Sequence, residues 1–262
     1  MTPSHCKQVW REGGTALMVL QHLPDPRVSE IAAAVGWDAI WIDLEHSSKT
    51  TGDLEMMCRA IRAGSFDSDK PRPDVLARPA KGEWMRMARL LEAGAHGIMY
   101  PRCESVDEAR QVVRWMKFAP QGERGFDGGN ADNRYGGYAA GDYVARANAE
   151  TWLAAQIESP TALHAVDAIA EVDGVDVVFF GPGDFSCLIG KPGQLMDRQV
   201  LDAAKKVSEA ARRAKKVFGT IGIGEEHTRA MRDLGAGLLN LGADQGLLKK
   251  AMVDLLEHHR RA

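Results

Sequence analysis

LAAQIESPTALHAVDAIAEVDGVDVVFFGPGD, residues 153–184, reads as one complete β-α-β unit. Residues 153–158 are a short, mostly apolar run, 161–172 carry Leu163, Val166, Ile169 and Ala170 at helical spacing, and 175–180 are a second β-branched and aromatic run. Two strands joined by a helical crossover pair in parallel. The rhythm continues in both directions. Strands are expected at 16–21, 39–44, 74–78, 97–100, 153–158, 175–180, 217–223 and 237–241. Helical segments follow them, such as 82–93, where Trp84, Met87, Leu90 and Leu91 share a face. Gly36, Gly64, Gly94 and Gly235 stand where helices should end. Eight units in 262 residues leave little chain for a second domain. The count favours a single (β/α)8 barrel of the α/β class over residues 1–262, rather than an open doubly wound sheet. No GxGxxG follows the first strand, which also argues against a dinucleotide fold. GERGFDGGNADNRYGGYAAGDY (122–143) breaks the rhythm as a long Gly-rich connection, of the kind that is either functional or mobile.

Composition narrows the class of partner. Hydrophobic residues make up 45% of the chain, which is ordinary for a folded protein. Thirty-three Lys and Arg against 36 Asp and Glu leave a charge of -3, without the basic footprint of a nucleic-acid binder. A small-molecule partner is expected. No apolar run reaches the roughly 20 residues that span a bilayer, and MTPSHCKQVWREGG lacks a signal-peptide core. The expectation is therefore a cytoplasmic protein with no membrane partner. Cys6, Cys58, Cys103 and Cys187 lie far apart without a CxxC pair, so they read as small, partly buried residues and not as a zinc site or disulfide framework.

In a barrel the active site gathers at the C-terminal strand ends. Strand two ends in Asp43, Glu45 and His46, strand three in Arg78, strand five in Gln156 and Glu158, and strand six runs through FFGPGD to Asp184. Glu158 and Asp184, with no competing thiolate or histidine pair, suit a hard divalent cation such as Mg2+ or Mn2+. Each residue also has a plainer reading. Glu158, beside Ser159 and Pro160, fits a helix cap, and Asp184 fits a turn residue bonded to its own backbone. His46 fits a structural histidine, and Arg78 fits a barrel-mouth ion pair. Strand ends five and six offer no Lys for a Schiff base.

IDLEHS (42–47), ARPA (77–80), QIES (156–159), VDGVDVVFFGPGDFS (172–186) and LNLGAD (239–244) together resemble the HpcH/HpaI aldolase family, the metal-dependent class II pyruvate aldolases. The resemblance runs over about residues 15–256. It implies reversible addition of the enolate of pyruvate, or of a related 2-oxo acid, to an aldehyde, and cleavage of 4-hydroxy-2-oxo acids. It also implies a divalent cation (Mg2+, Mn2+ or Co2+) and a homohexamer in which the last helix, about 244–260, is exchanged between subunits. By the same resemblance Glu158 and Asp184 ligate the metal, Gln156 contacts substrate, and the Gly183 and Asp184 amides hold the substrate carboxylate. His46 is then the catalytic base, and Arg78 stabilises the enolate. Glu92, in LLEAG, falls where the family usually carries an Asp that raises the basicity of the histidine; Asp43 is the alternative partner. MYPRCES (99–105) departs from relatives that are apolar after the proline. Arg102 there reads either as a solvated charge beside Glu104 or Asp107 or as a contact for an anionic aldehyde. A malyl- or citramalyl-CoA-type lyase and a catalytically silent sugar-acid- and metal-binding barrel are the competing readings.

Overall fold

The computed structural model describes residues 2–66 and 69–261, in which eight parallel strands close into one barrel. The strands are β1 (Ala16–Gln21), β2 (Ala39–Asp43), β3 (Asp74–Arg78), β4 (Gly97–Tyr100), β5 (Trp152–Ile157), β6 (Val177–Phe180), β7 (Val217–Ile221) and β8 (Leu238–Ala243). Each pairs with its successor in sequence, and β8 returns to β1. All eight expected strands form, with shifts of one or two residues at their ends. β6 starts later than the apolar run because Val175 closes the preceding turn, its N–H donating to the Val172 carbonyl. The helix expected over 82–93 divides into a 3-10 turn, Trp84–Arg86, and a short α-helix, Met87–Glu92.

Alternation along each strand sorts the side chains into two layers. Ile40, Ile42, Val75, Ala77, Leu153, Ala155 and Val178 pack outward against the helices. Ala39, Trp41, Leu76, Trp152, Ala154, Val177 and Phe179 fill the barrel. Two inward glycines make room for the aromatic rings: a Cβ on Gly97 would lie 2.6 Å from its strand partner Trp152, and one on Gly219 would lie 2.6 Å from Phe179. The same inward register, continued upward, carries Asp43 above Trp41, Arg78 above Leu76, and Gln156 and Glu158 above Ala154.

The lower mouth is plugged by the N-terminal helix His5–Arg11. Asp74 anchors it by accepting from the Ser4 hydroxyl, the His5 N–H at 2.9 Å and the Trp152 indole N–H at 2.9 Å. The Gly-rich segment 122–143 is built around a buried pair, Arg124 to Asp132 at 2.7 Å, with the Tyr143 hydroxyl donating to the same carboxylate at 2.6 Å. Cys6, Cys58 and Cys103 are wholly buried and Cys187 is exposed; burial pushes the Cys58 and Cys103 thiols up to about 12. Among the described residues no helix is long and apolar enough to cross a membrane.

Candidate active site at the C-terminal barrel mouth

The turn after β2 is fixed by Asp43, whose Oδ1 accepts from the Glu45 N–H at 3.0 Å while its carbonyl accepts from the Ser47 hydroxyl at 2.6 Å. The same carboxylate takes Arg78 in a two-pronged contact, Nε to Oδ1 and Nη2 to Oδ2, each 2.8 Å. The guanidinium also lies over the Trp41 ring, 4.6 Å from its centroid, and its Nε is 3.3 Å from Glu45. The contact with the Trp41 ring and the bidentate fork leave it little freedom. Burial works to raise the Asp43 carboxyl, but the Arg78 hydrogen bonds and charge outweigh it and hold Asp43 below its ordinary range. Glu45 is half-buried, and there burial wins and raises the carboxyl. His46 lies beyond, largely exposed, with Nε2 3.5 Å from Glu45.

Across the mouth, Glu158 is 2% exposed. Its Oε1 accepts from the Arg102 backbone N–H at 2.8 Å, and its Oε2 is buried without a partner. Burial first, then the neighbouring charge of Asp184, pushes the Glu158 carboxyl up to about 8. Gln156 Oε1 beside it is also buried and unpartnered. Gly181 provides the clearance, since a Cβ there would stand 2.6 Å from Glu158 Oε2. Asp184 and Gly183 lie in the first turn of the helix Pro182–Leu188, where amide N–H groups have no intrahelical acceptor. Two adjacent carboxylates with an orphaned oxygen and an unpartnered amide oxygen form a donor set that a hard cation would satisfy. Among the described residues no group of three or more His, Cys, Asp or Glu converges as a metal site, so a cation here would rest on two protein carboxylates.

Several plainer readings are resolved by this geometry. Ser159, not Glu158, caps the helix Pro160–Ala170. His46 is exposed and Arg78 is indeed ion-paired, but in an orientation fixed at the mouth. Within one chain neither expected partner makes a direct ion pair with His46, although the His46 charge helps to lower the Asp43 carboxyl. Glu92 ends a helix that leads down to the start of β4, and the charges that bear on it are Arg124, Asp132 and Asp127. Asp43 spends both oxygens on Arg78. Glu45 takes the place beside the histidine, and only the DLEH spacing pointed to it. The Arg102 side chain is half-exposed, 3.7 Å from Glu104, while its amide serves Glu158. Sequence reasoning also missed His22, 3.8 Å from Asp43, and Lys49, whose ammonium is buried against the Gln21 and His22 carbonyls.

The chain and its barrel have counterparts among known proteins. The chain is 33% identical to a 4-hydroxy-2-oxovalerate aldolase of Novosphingobium aromaticivorans, over 97% of this chain and 94% of that protein. It is 34% identical to a hydroxypyruvate/pyruvate aldolase of Paraburkholderia phytofirmans, over 88% of each. A crystal structure of an HpcH/HpaI aldolase/citrate lyase family protein from Burkholderia cenocepacia superposes with a TM-score of 0.90 at 28% identity, covering 98% of this chain and 99% of that one. The family model HpcH/HpaI aldolase/citrate lyase matches residues 17–251, from β1 into the last helix, and the chain belongs to that family.

Proposed function

We propose that this protein is a divalent-metal-dependent class II aldolase that reversibly adds the enolate of pyruvate, or of a related 2-oxo acid, to an aldehyde and cleaves 4-hydroxy-2-oxo acids. The observation that carries this reading is the pairing, across one mouth, of a buried Glu158 with one unpartnered oxygen, beside Asp184, with a guanidinium held by Asp43 and Trp41. The amides of Gly183 and Asp184 receive the substrate carboxylate. Gln156 adds a polar contact. Arg78 faces the negative charge that develops as the methyl proton leaves. His46 takes that proton and returns it on cleavage, and the carboxylate of Glu45 at 3.5 Å stabilises the imidazolium. Glu158 and Asp184 would hold Mg2+, Mn2+ or Co2+, a Lewis acid that draws electron density from the 2-oxo group when bound.

The test is exchange of pyruvate methyl protons in D2O, followed by NMR with added Mn2+ or Mg2+. Exchange is expected with the wild type, and His46→Ala should slow it by about 100-fold or more, the usual share of a general base. A protein that binds pyruvate without exchanging its protons is a silent binding barrel.

We further propose a homo-oligomer in the cytoplasm, hexameric as the sequence resemblance implies, in which the helix Asp244–Arg260 packs onto a neighbour. Its Leu248, Met252, Leu255 and Leu256 are exposed. An apolar cavity of about 340 Å³ beside β1, lined by Val28, Ile31, Val35 and Trp37, also lies open to a neighbour. These four side chains are about half to two-thirds exposed, so burying them contributes roughly 1–2 kcal/mol each. Leu248→Asp with Met252→Asp is expected to reduce the mass seen by light scattering. An unchanged assembly removes the helix from the interface.

A further inference from the structure

We propose that the protein carries a second binding site, for a small phosphate-type dianion, at the end of the barrel opposite the catalytic mouth, where Arg62, Arg72 and Arg134 line one cavity. Arg62 sits in the last turn of the helix Thr51–Gly64, and Arg72 and His96 stand just before β3 and β4, at their N-terminal ends. Arg134 follows the 3-10 turn Ala131–Asn133 in left-handed backbone, φ 51°, a conformation that costs a non-glycine residue energy. The cavity measures about 230 Å³, enough for phosphate with a small ester group, and Thr2 and Tyr135 add hydroxyls to its wall.

Among the described residues, no direct ion pair balances the charges of these arginines. The nearby carboxylates hold other partners: Asp132 holds Arg124 and Tyr143, Asp74 holds Ser4, His5 and Trp152 with His96 at 3.8 Å, and Glu55 holds Arg59. Among the described residues, no ion pair reaches Arg62, Arg72 or Arg134. Arg72 instead donates to the Thr2 hydroxyl and to His96 Nε2 at 3.2 Å. Burial, followed by the repelling charge of Arg62, lowers the Arg72 pKa. Arg78 at the other mouth shows the contrast: it is more deeply buried, but Asp43 takes its Nε and Nη2 donors. His96 is 3% exposed, and burial together with Arg72 and Arg62 outweighs Asp74 to hold it below its ordinary range, so it adds a neutral ring rather than a fourth charge. Three arginines line one cavity, the Arg134 guanidinium also lying over the Tyr138 ring 5.1 Å from its centroid, and together they match the oxygens of a tetrahedral dianion, which neutralises more of their charge than a monoanion can.

Calorimetric titration of the full-length protein with inorganic phosphate and with glycerol phosphate, at ionic strength held constant with NaCl, tests the site. Saturable binding is expected. Arg62→Gln and Arg72→Gln should each weaken it about tenfold or more, the loss of one charged hydrogen-bonding group, with pyruvate proton exchange unchanged. Tighter binding of glycerol phosphate than of phosphate identifies a monoester ligand, and equal or weaker binding identifies free phosphate. Arg62 lies on a helix surface, so Arg62→Gln remains informative if Arg72→Gln misfolds. Absence of saturable binding, or equal affinity in wild type and Arg62→Gln, overturns the proposal.

Discussion

Glu158→Gln is expected to abolish metal-dependent turnover, by about 1000-fold or more, while making the metal-free protein more stable. The activity loss follows from removing one of two carboxylates available to the cation; a Lewis acid supplies several kcal/mol, and each ~1.4 kcal/mol is tenfold in rate. The stability gain follows from burial and from the charge of Asp184, which push the Glu158 carboxyl from 4.5 up to about 8. Between those two values the metal-free fold holds a proton that the unfolded chain has released. Stability therefore falls as pH rises through that window, by at most about 1.4 kcal/mol per pH unit. Glutamine has no proton to gain. The advantage of Glu158→Gln over wild type should be small near pH 4.5, on the order of 1–3 kcal/mol at pH 7, and level above about pH 8. Saturating Mn2+ should then stabilise the wild type and leave the variant unmoved, because only a chain that binds the ligand gains from it. Urea melts at three pH values, with EDTA or Mn2+, read the effect directly. A variant that still needs and binds the cation, or a stability difference that ignores pH, removes Glu158 from the metal site.

Much of that site is legible in sequence because strand alternation is strict. Asp43, Arg78, Gln156 and Glu158 each stand an even number of residues above a barrel-filling side chain, so period two alone aims them at the mouth. What lies beyond the strand ends is not legible in this way. Glu45 and His46 follow the last paired residue of β2, where the turn and not the pleat decides direction. The Arg102 amide that holds Glu158 is a backbone group and has no residue signature. Glu92 illustrates the converse. Its motif matched, but within one chain its helix carries it toward the start of β4, where the charges of Arg124 and Asp132 act on it, and no local pattern shows that path. The arginine cavity draws on three separate stretches of chain and is invisible to any local pattern.

Asp43→Asn is expected to cost about 3–5 kcal/mol of stability, the usual result of leaving a buried charge without its partner, and to lower kcat by about 100- to 1000-fold. Asparagine keeps one acceptor oxygen but turns an NH2 group toward Arg78, whose Nε and Nη2 are both donors. One of the two 2.8 Å contacts must be lost, and the guanidinium can then swing toward Glu45, already 3.3 Å from its Nε. The effect should fall on kcat more than on KM. Arg78 answers charge that develops only as the proton leaves, whereas the Gly183 and Asp184 amides hold the carboxylate in the ground state as well. Arg78→Lys should reproduce the kcat loss, since a point charge cannot fill both positions of the fork that Asp43 receives. Glu45→Gln should be milder in stability, because that carboxylate is less buried and its burial already raises its pKa. Denaturant melts beside steady-state cleavage of a 4-hydroxy-2-oxo acid separate these outcomes. If Asp43→Asn melts like wild type and keeps its kcat, Glu45 and the Trp41 ring are enough to aim Arg78, and the bidentate pair is not what positions it.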